Sequence, residues 1–327
     1  MIRGMALGKF LPPHRGHVYL AEFGKHHADD MTVVVCSLAR EPIPGELRFR
    51  WMRELLPGVR VVHLTRELPQ EPSEHPDFWP LWREALLEVL PAAPHRVFAS
   101  EPYGQRLAEE LGAEFIPVDL ARSAVPVSGT AIRARPLEHW AHIPRAVRPY
   151  FARKVSILGP ESTGKSTLAA RLAERYQTAW VPEYARGYLE RRQGHLEARD
   201  MVPIARGQAA SEDALLPDSN RVLICDTDPL LTTVWSRTLY GDCDPWIEEQ
   251  ARTRRYDLTL LTDVDVPWVA DPVRYLPDDR RPFFDRCEAA LQRAGRRYRV
   301  LRGGWNERCE RACEAIDALC RDSAGEP

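Results

Sequence analysis

Gly159-Pro160-Glu161-Ser162-Thr163-Gly164-Lys165-Ser166 is the stretch from which the fold of this chain can be read. It fits G-x-x-x-x-G-K-[ST], the spacing of a loop that cradles phosphates with successive backbone N–H groups. Residues 154–158 before it read as a buried strand, and residues 167–176 after it are rich in helix formers. Strand, loop and helix in that order point a positive helix N-terminus at the phosphates of a nucleoside triphosphate. Gly159 and Gly164 shape such a turn, and Glu161, Ser162, Thr163 and Thr167 complete the cradle. Lys165 would reach the β- and γ-phosphates, and the Ser166 hydroxyl would ligate Mg2+.

At 327 residues the chain suits two domains, expected at residues 1–150, with a connector at the end, and 151–327. A net charge of −2 gives no reason to expect a nucleic-acid or membrane surface. No apolar run is long enough to span a bilayer, and the first strand begins at once, so the expected compartment is the cytoplasm. Seven cysteines without paired spacing fit free thiols. Only Lys9, Lys25, Lys154 and Lys165 stand against a large excess of arginine. A lysine kept where arginine is the habit suggests that a compact ammonium is wanted, which singles out Lys9 beside Lys165.

The first strand ends near Gly8 and leads through Lys9, Phe10 and Pro12 into His14-Arg15-Gly16-His17, where a helical pattern begins. Gly16 permits close backbone approach, and two imidazoles at a helix start can donate hydrogen bonds to a phosphate as charge develops on it. Metal ligation and an ordinary surface position are the alternatives. Strands at 32–37, 59–64, 96–100 and 114–118 alternate with helices at 45–56, 78–90 and 105–111. That alternation makes an α/β fold with a parallel sheet, whose ligands gather at the C-terminal strand ends. Residues 135–150 read as a helical connector.

Gly8-x-Phe10-x-Pro12-x-His14-x-Gly16-His17 resembles the first signature of the nucleotidylyltransferase superfamily, and Ser128-Gly129-Thr130-Ala131-Ile132-Arg133 resembles its second, about 110 residues on. The resemblance implies a Rossmann-like domain whose two signatures flank one ATP, with Ser128, Thr130 and Arg133 on its phosphates. It also implies an aromatic residue stacked on a nicotinamide ring, for which Trp79 is the first choice and Trp82 the alternative.

In the second half, a short strand at 178–182 ends at Glu183-Tyr184-Ala185-Arg186, where Glu183 is placed either to accept a hydroxyl proton or to stabilise a helix start. A helix at 200–216 follows. A strand at 221–225 then ends at Asp226-Thr227-Asp228, where Asp226 suits a magnesium organiser or, in place of Glu183, the kinase base, and Asp228 either a substrate contact or a helix cap. After a strand at 258–261, Arg274, Arg280 and Arg281 fit a phosphate-closing lid or a solvated charge cluster. Cys309, Cys313 and Cys320 share one helix face, as structural thiols do.

An adenylyltransferase followed by a phosphate-loop kinase resembles the NadR-type NAD-salvage family, which joins nicotinamide-mononucleotide adenylyltransferase to ribosylnicotinamide kinase. Pro42-Ile43-Pro44-Gly45 with Arg48 and Trp51, Ala99 to Gly104, Glu183 to Arg186 and Pro267 to Asp271 carry the same resemblance; Pro272 departs from the glycine expected in the lid. It implies substrates ribosylnicotinamide, nicotinamide mononucleotide and ATP with Mg2+, the product NAD, and substrate contacts from Glu183, Tyr184 and Arg186. No helix-turn-helix element precedes the first strand, so no DNA-binding role is implied. A homo-oligomer stays open. So do a fusion acting on coenzyme A precursors and a nucleotide sensor with one inactive domain.

Overall fold

The computed structural model describes residues 1–271, 274–276 and 278–322. The chain divides into two compact units, residues 1–147 and the part from Arg148 onward.

In the first unit β1 (Arg3–Gly8), α1 (Arg15–His27), β2 (Asp30–Cys36), α2 (Gly45–Leu55), β3 (Arg60–Leu64), α3 (Phe78–Val89), β4 (Arg96–Ala99), α4 (Tyr103–Leu111), β5 (Glu114–Pro117) and α5 (Gly129–Ala134) alternate. The strands form a parallel sheet in the order β3-β2-β1-β4-β5. The chain runs outward from β1 on one side and then restarts beside β1 on the other. The crevice at the C-terminal ends of β1 and β4 is therefore the switch point where such a sheet takes a ligand. Apolar cores cover both faces, one through Val34, Val97, Trp82 and Leu86, the other through Val33, Val35, Met52 and Phe98.

The second unit runs α6 (Arg148–Phe151), β6 (Arg153–Leu158), α7 (Lys165–Tyr176), β7 (Trp180–Val181), α8 (Tyr184–Arg191), α9 (Met201–Leu215), β8 (Val222–Asp226), α10 (Pro229–Tyr240), α11 (Pro245–Thr253), β9 (Leu258–Thr262), α12 (Arg280–Arg293), β10 (Tyr298–Leu301) and α13 (Trp305–Asp322). Its parallel sheet has the order β10-β9-β6-β8-β7, with β6 at the centre and the phosphate loop directly after it. Cys309, Cys313 and Cys320 on α13 pack against this core beside Tyr176 and Trp180. Among the described residues no helix is long and apolar enough to cross a membrane.

The expected helical connector is a correction. Between α5 and α6 the backbone makes isolated turns at 135–139 and 144–147 and one short 3-10 helix, Trp140–His142, and the units part at Val147. Pro136, Pro144 and Pro149 lack the N–H groups that a continuous helix would need.

One buried cation closes the second unit around its loop. Arg308 is 2% exposed and donates to the carbonyls of Thr163, Asp263 and Gly303 at 2.8–2.9 Å, while pairing with Asp265. It joins the phosphate loop, the end of β9 and the turn before α13. Arg308→Met strands three carbonyls at roughly 1 kcal/mol each. The expected outcome is a loss of about 3 kcal/mol in the denaturant unfolding of this unit, with hydrogen-exchange protection of β1 and β2 unchanged.

Candidate active sites

A cleft of about 750 Å³ opens over the ends of β1 and β4 in the first unit. Gly8, Lys9, Phe10, His14, Gly16, His17, Trp79, Trp82, Ser128, Thr130 and Arg133 all line it, so both signatures meet there. They meet through contact. Arg133 donates to the Leu11 carbonyl and, at 3.2 Å, to Thr130 Oγ1, and a Cβ on Gly129 would lie 2.6 Å from Leu11 O. Ser128 caps α5 by accepting the Ala131 N–H at 3.1 Å.

The rings of His14 and His17 stack with centroids 3.6 Å apart, and Phe10 meets His17 edge-on. Burial and the positive charge of Arg122 push His14 down to about 4; burial and the neighbouring His14 hold His17 well below its usual value. Both rings are neutral at pH 7, so each offers one N–H donor. His14 Nδ1 is buried with no partner among the described residues. Lys9 lies 3.5 Å from Glu41, which also pairs with Arg48; Arg48 is fully buried and donates to the carbonyls of Ile43 and Cys36 at 3.0 and 3.1 Å. Arg48 thus welds α2 to the strand ends rather than facing the cleft.

The two tryptophans separate. Trp82 is 8% exposed and its indole N–H is spent on Pro69 O at 2.8 Å, whereas Trp79 is half-buried with Arg106 over its ring at 6.0 Å. Arg122, absent from the motif reading, lines the cleft near both histidines and pairs with Glu101 at 3.0 Å. Its one sequence signal is Asp119 three residues earlier, whose carboxylate gathers the N–H groups of Ser123, Ala124 and Val125 and folds the loop back.

The second cleft, of about 280 Å³, lies against the phosphate loop. Glu161, Ser162, Thr163, Gly164, Lys165, Ser166, Thr167, Glu183, Arg186 and Arg274 line it. Gly159 and Gly164 take φ of +144° and +82°, conformations that suit glycine. Thr163 Oγ1 holds Pro160 O and Thr262 Oγ1, both at 2.7 Å, and Lys165 Nζ donates to Pro160 O at 3.0 Å. Leu189, Leu196, Met201, Ile204 and Trp235 add an apolar wall that no motif announced.

Asp226 ends β8; it does not itself line the cleft, but Glu183, Lys165 and Ser166, which do, act on it. It is fully buried, and neither carboxylate oxygen has a hydrogen-bond partner among the described residues. Burial first, then repulsion from Glu183, pushes it up to about 7 against the pull of Lys165 and Ser166. A buried, unsatisfied carboxylate beside a hydroxyl and two further charges is a fit for a small hard cation.

Three expectations need correction. Asp228 takes its helix-cap alternative and not the substrate contact: it does not line the cleft, and its carboxylate caps α10 through the N–H groups of Leu230 and Leu231 and pairs with Arg296 at 2.6 Å. The Tyr184 ring does not line it either, because it lies flat on Gly207 of α9. The lid arginines also divide. Arg281 is spent on Asp263, and Arg274 lies 3.9 Å from Asp271 and 3.4 Å from Ser162 Oγ. Arg280 donates to Val266 O at 3.0 Å and Ser162 O at 3.2 Å and lies 5.8 Å from the Trp268 ring centre; it does not line the cleft and makes no ion pair within 4 Å among the described residues. Pro272 lies outside the described residues.

An AAA-domain family model matches residues 154–308. Over 306 residues the chain is 30% identical to the trifunctional NAD biosynthesis/regulator protein NadR of Escherichia coli (strain K12), an alignment covering 86% of this chain and 74% of that protein. The chain belongs to the NadR family. A crystal structure of a NadR protein in complex with NR superposes with a TM-score of 0.79 at 25% identity, covering 97% of this chain and 96% of that one. Another, in complex with NAD and AMP-PNP, gives 0.78 at 26% identity over 98% and 96%. As a NadR-family member this is a NAD-biosynthesis protein and a nucleotide-transferring enzyme.

The Asp226 environment gives a stability test. In the fold this carboxyl holds its proton to about pH 7, whereas in the unfolded chain it gives it up near its ordinary value of 3.8. The cost of ionising it is thus absent in acid, grows as pH rises between those values, and is complete above pH 7. In EDTA at pH 8, Asp226→Asn should melt several degrees above wild type, and the gain should vanish towards pH 4. A gain independent of pH would contradict this electrostatic account.

Proposed function

We propose that the chain makes NAD in two steps: ATP phosphorylates ribosylnicotinamide to nicotinamide mononucleotide in the second unit, and the mononucleotide is adenylylated by another ATP in the first. The observation that carries this reading is one chain with two different phosphate-handling clefts, a paired-histidine cleft and a lysine-serine-carboxylate cleft. The NadR relatives, one with NR and another with NAD and AMP-PNP, support it.

In the kinase step the 5′-hydroxyl attacks the γ-phosphorus, its proton passes to Glu183, and ADP leaves. Lys165 stabilises the β- and γ-phosphate oxygens, and the loop N–H groups hold the rest. Ser166 and Asp226 would hold Mg2+, which supplies charge neutralisation at the phosphates. Arg274 faces the cleft. Arg280, which makes no direct ion pair among the described residues, is the lid cation with most to gain from a phosphate. Arg186 borders the acceptor pocket, its Nη1 3.1 Å from Asp271.

In the adenylyl step a phosphate oxygen of the mononucleotide attacks the α-phosphorus and pyrophosphate leaves. The neutral His14 and His17 donate hydrogen bonds to the crowded phosphate without first giving up a salt bridge. Lys9, Ser128, Thr130 and Arg133 hold the triphosphate. The face of Trp79 stacks on the pyridinium ring, which suits an electron-rich indole; Trp82 belongs to the core cluster against which Trp79 packs.

Purified protein with ATP, Mg2+ and ribosylnicotinamide should yield NAD. Lys165→Ala should make NAD only from supplied mononucleotide, and His17→Ala should stop at the mononucleotide; each lost step should slow by at least about 100-fold, in line with removing a main phosphate contact. Folded wild type that binds ATP yet makes neither product defeats the substrate assignment.

A further inference from the structure

We propose that Gln208 is a positioning residue for phosphoryl transfer, tying the backbone that carries Glu183 to the backbone that carries Asp226. This rests on reading the second unit as a nucleoside kinase.

Gln208 is 2% exposed on α9. Its Oε1 accepts the Tyr184 N–H at 2.9 Å, and its Nε2 donates to the Asp226 carbonyl at 3.4 Å. One partner can only donate and the other can only accept, so the amide has a single orientation, and both ends are used. Tyr184 directly follows Glu183 and opens α8; Asp226 closes β8. Without this side chain, neither of those two bonds exists.

The helix that presents Gln208 is itself pinned. One turn further along α9, Glu212 is 1% exposed and is held by Lys154 at 3.1 Å, Arg254 at 3.4 Å and the Tyr256 hydroxyl at 2.6 Å. One and two turns back, Ile204 and Met201 line the same acceptor pocket. The Tyr184 ring rests on Gly207, where a Cβ would collide with it. Position 207 brings α8 down onto α9, and position 208 bridges it to the strand end. A glutamine that only filled space would not need both of its polar ends on the two elements that bear carboxylates.

Phosphoryl transfer depends on placing the acceptor hydroxyl, its proton acceptor and the phosphates within tenths of an ångström, and a misplacement of about 1 Å can cost on the order of 100-fold. Gln208→Met and Gln208→Glu match glutamine in size. Methionine offers neither hydrogen bond, and an ionised glutamate cannot donate to the Asp226 carbonyl. The expected result is a fall in kcat for ribosylnicotinamide phosphorylation of about 30- to 100-fold in both variants. KM for ATP should stay within about threefold, and NAD formation from supplied mononucleotide should be unchanged.

A role in packing alone predicts near-wild-type kcat in both variants, and that result overturns the proposal. So does a loss confined to KM for the nucleoside, which would make Gln208 a substrate contact. A parallel fall in both activities would mark general destabilisation and also defeats it. A crystal structure of Gln208→Met with Glu183 and Asp226 unmoved overturns it whatever the kinetics. If wild type phosphorylates no nucleoside, the kinase reading itself has failed and the positioning role falls with it.

Discussion

A carboxylate buried without a hydrogen bond is among the most costly things a protein can hold, and the second unit is arranged around one. Asp226 sits at the end of β8 with neither oxygen partnered among the described residues. Lys165 and Ser166 approach from the phosphate loop, Glu183 from the end of β7, and Gln208 grips the Asp226 backbone rather than its side chain. Any neutral arrangement of the same groups would fold more easily. On the proposed reading that cost has a use, because a carboxylate already tied to the protein would have less to give a cation.

The first unit solves a related problem with the opposite charge logic. Its cleft keeps two stacked imidazoles neutral through burial and the nearby Arg122 guanidinium. Permanent charge comes from Lys9, Arg122 and Arg133, each restrained by a carboxylate or a carbonyl. Both clefts nevertheless sit where the central strand of a parallel sheet has neighbours reached by chain running in opposite directions. Side chains from distant parts of the sequence converge there because strand ends are the only places where the loops on both sides meet.

What was legible from sequence follows from this geometry. The phosphate loop, the His-x-Gly-His element and Ser128 to Arg133 were readable because each is a local pattern with its own backbone requirement. Strand and helix alternation was readable from periodicity, with boundaries off by a residue or two. Arg122, Gln208 and the division of labour among Arg274, Arg280 and Arg281 were not, since each depends on which partner lies across space. Tyr184 misled for the same reason, since its ring is attached elsewhere, to Gly207; for Asp228 the sequence left a substrate contact and a helix cap open, and only the partners across space, Leu230, Leu231 and Arg296, decide for the cap. The scarcity of lysine proved informative beyond the clefts. Lys154 lies 4.2 Å over the Tyr256 ring and 3.1 Å from Glu212, with Arg296 also near that ring, a slot suited to a compact ammonium.

Gly164 shows how a motif can answer to two demands. Its φ of +82° belongs to the turn, but the Trp305 indole also rests so closely on it that a side chain there would collide. The second demand comes from α13 and has nothing to do with nucleotide. If the proposed phosphoryl transfer were lost in a descendant of this protein, that glycine would stay under the same packing pressure, while Lys165 and Ser166 would be free to drift. Within one signature, then, the glycine records the architecture, whereas on the proposed reading the two residues after it record the reaction.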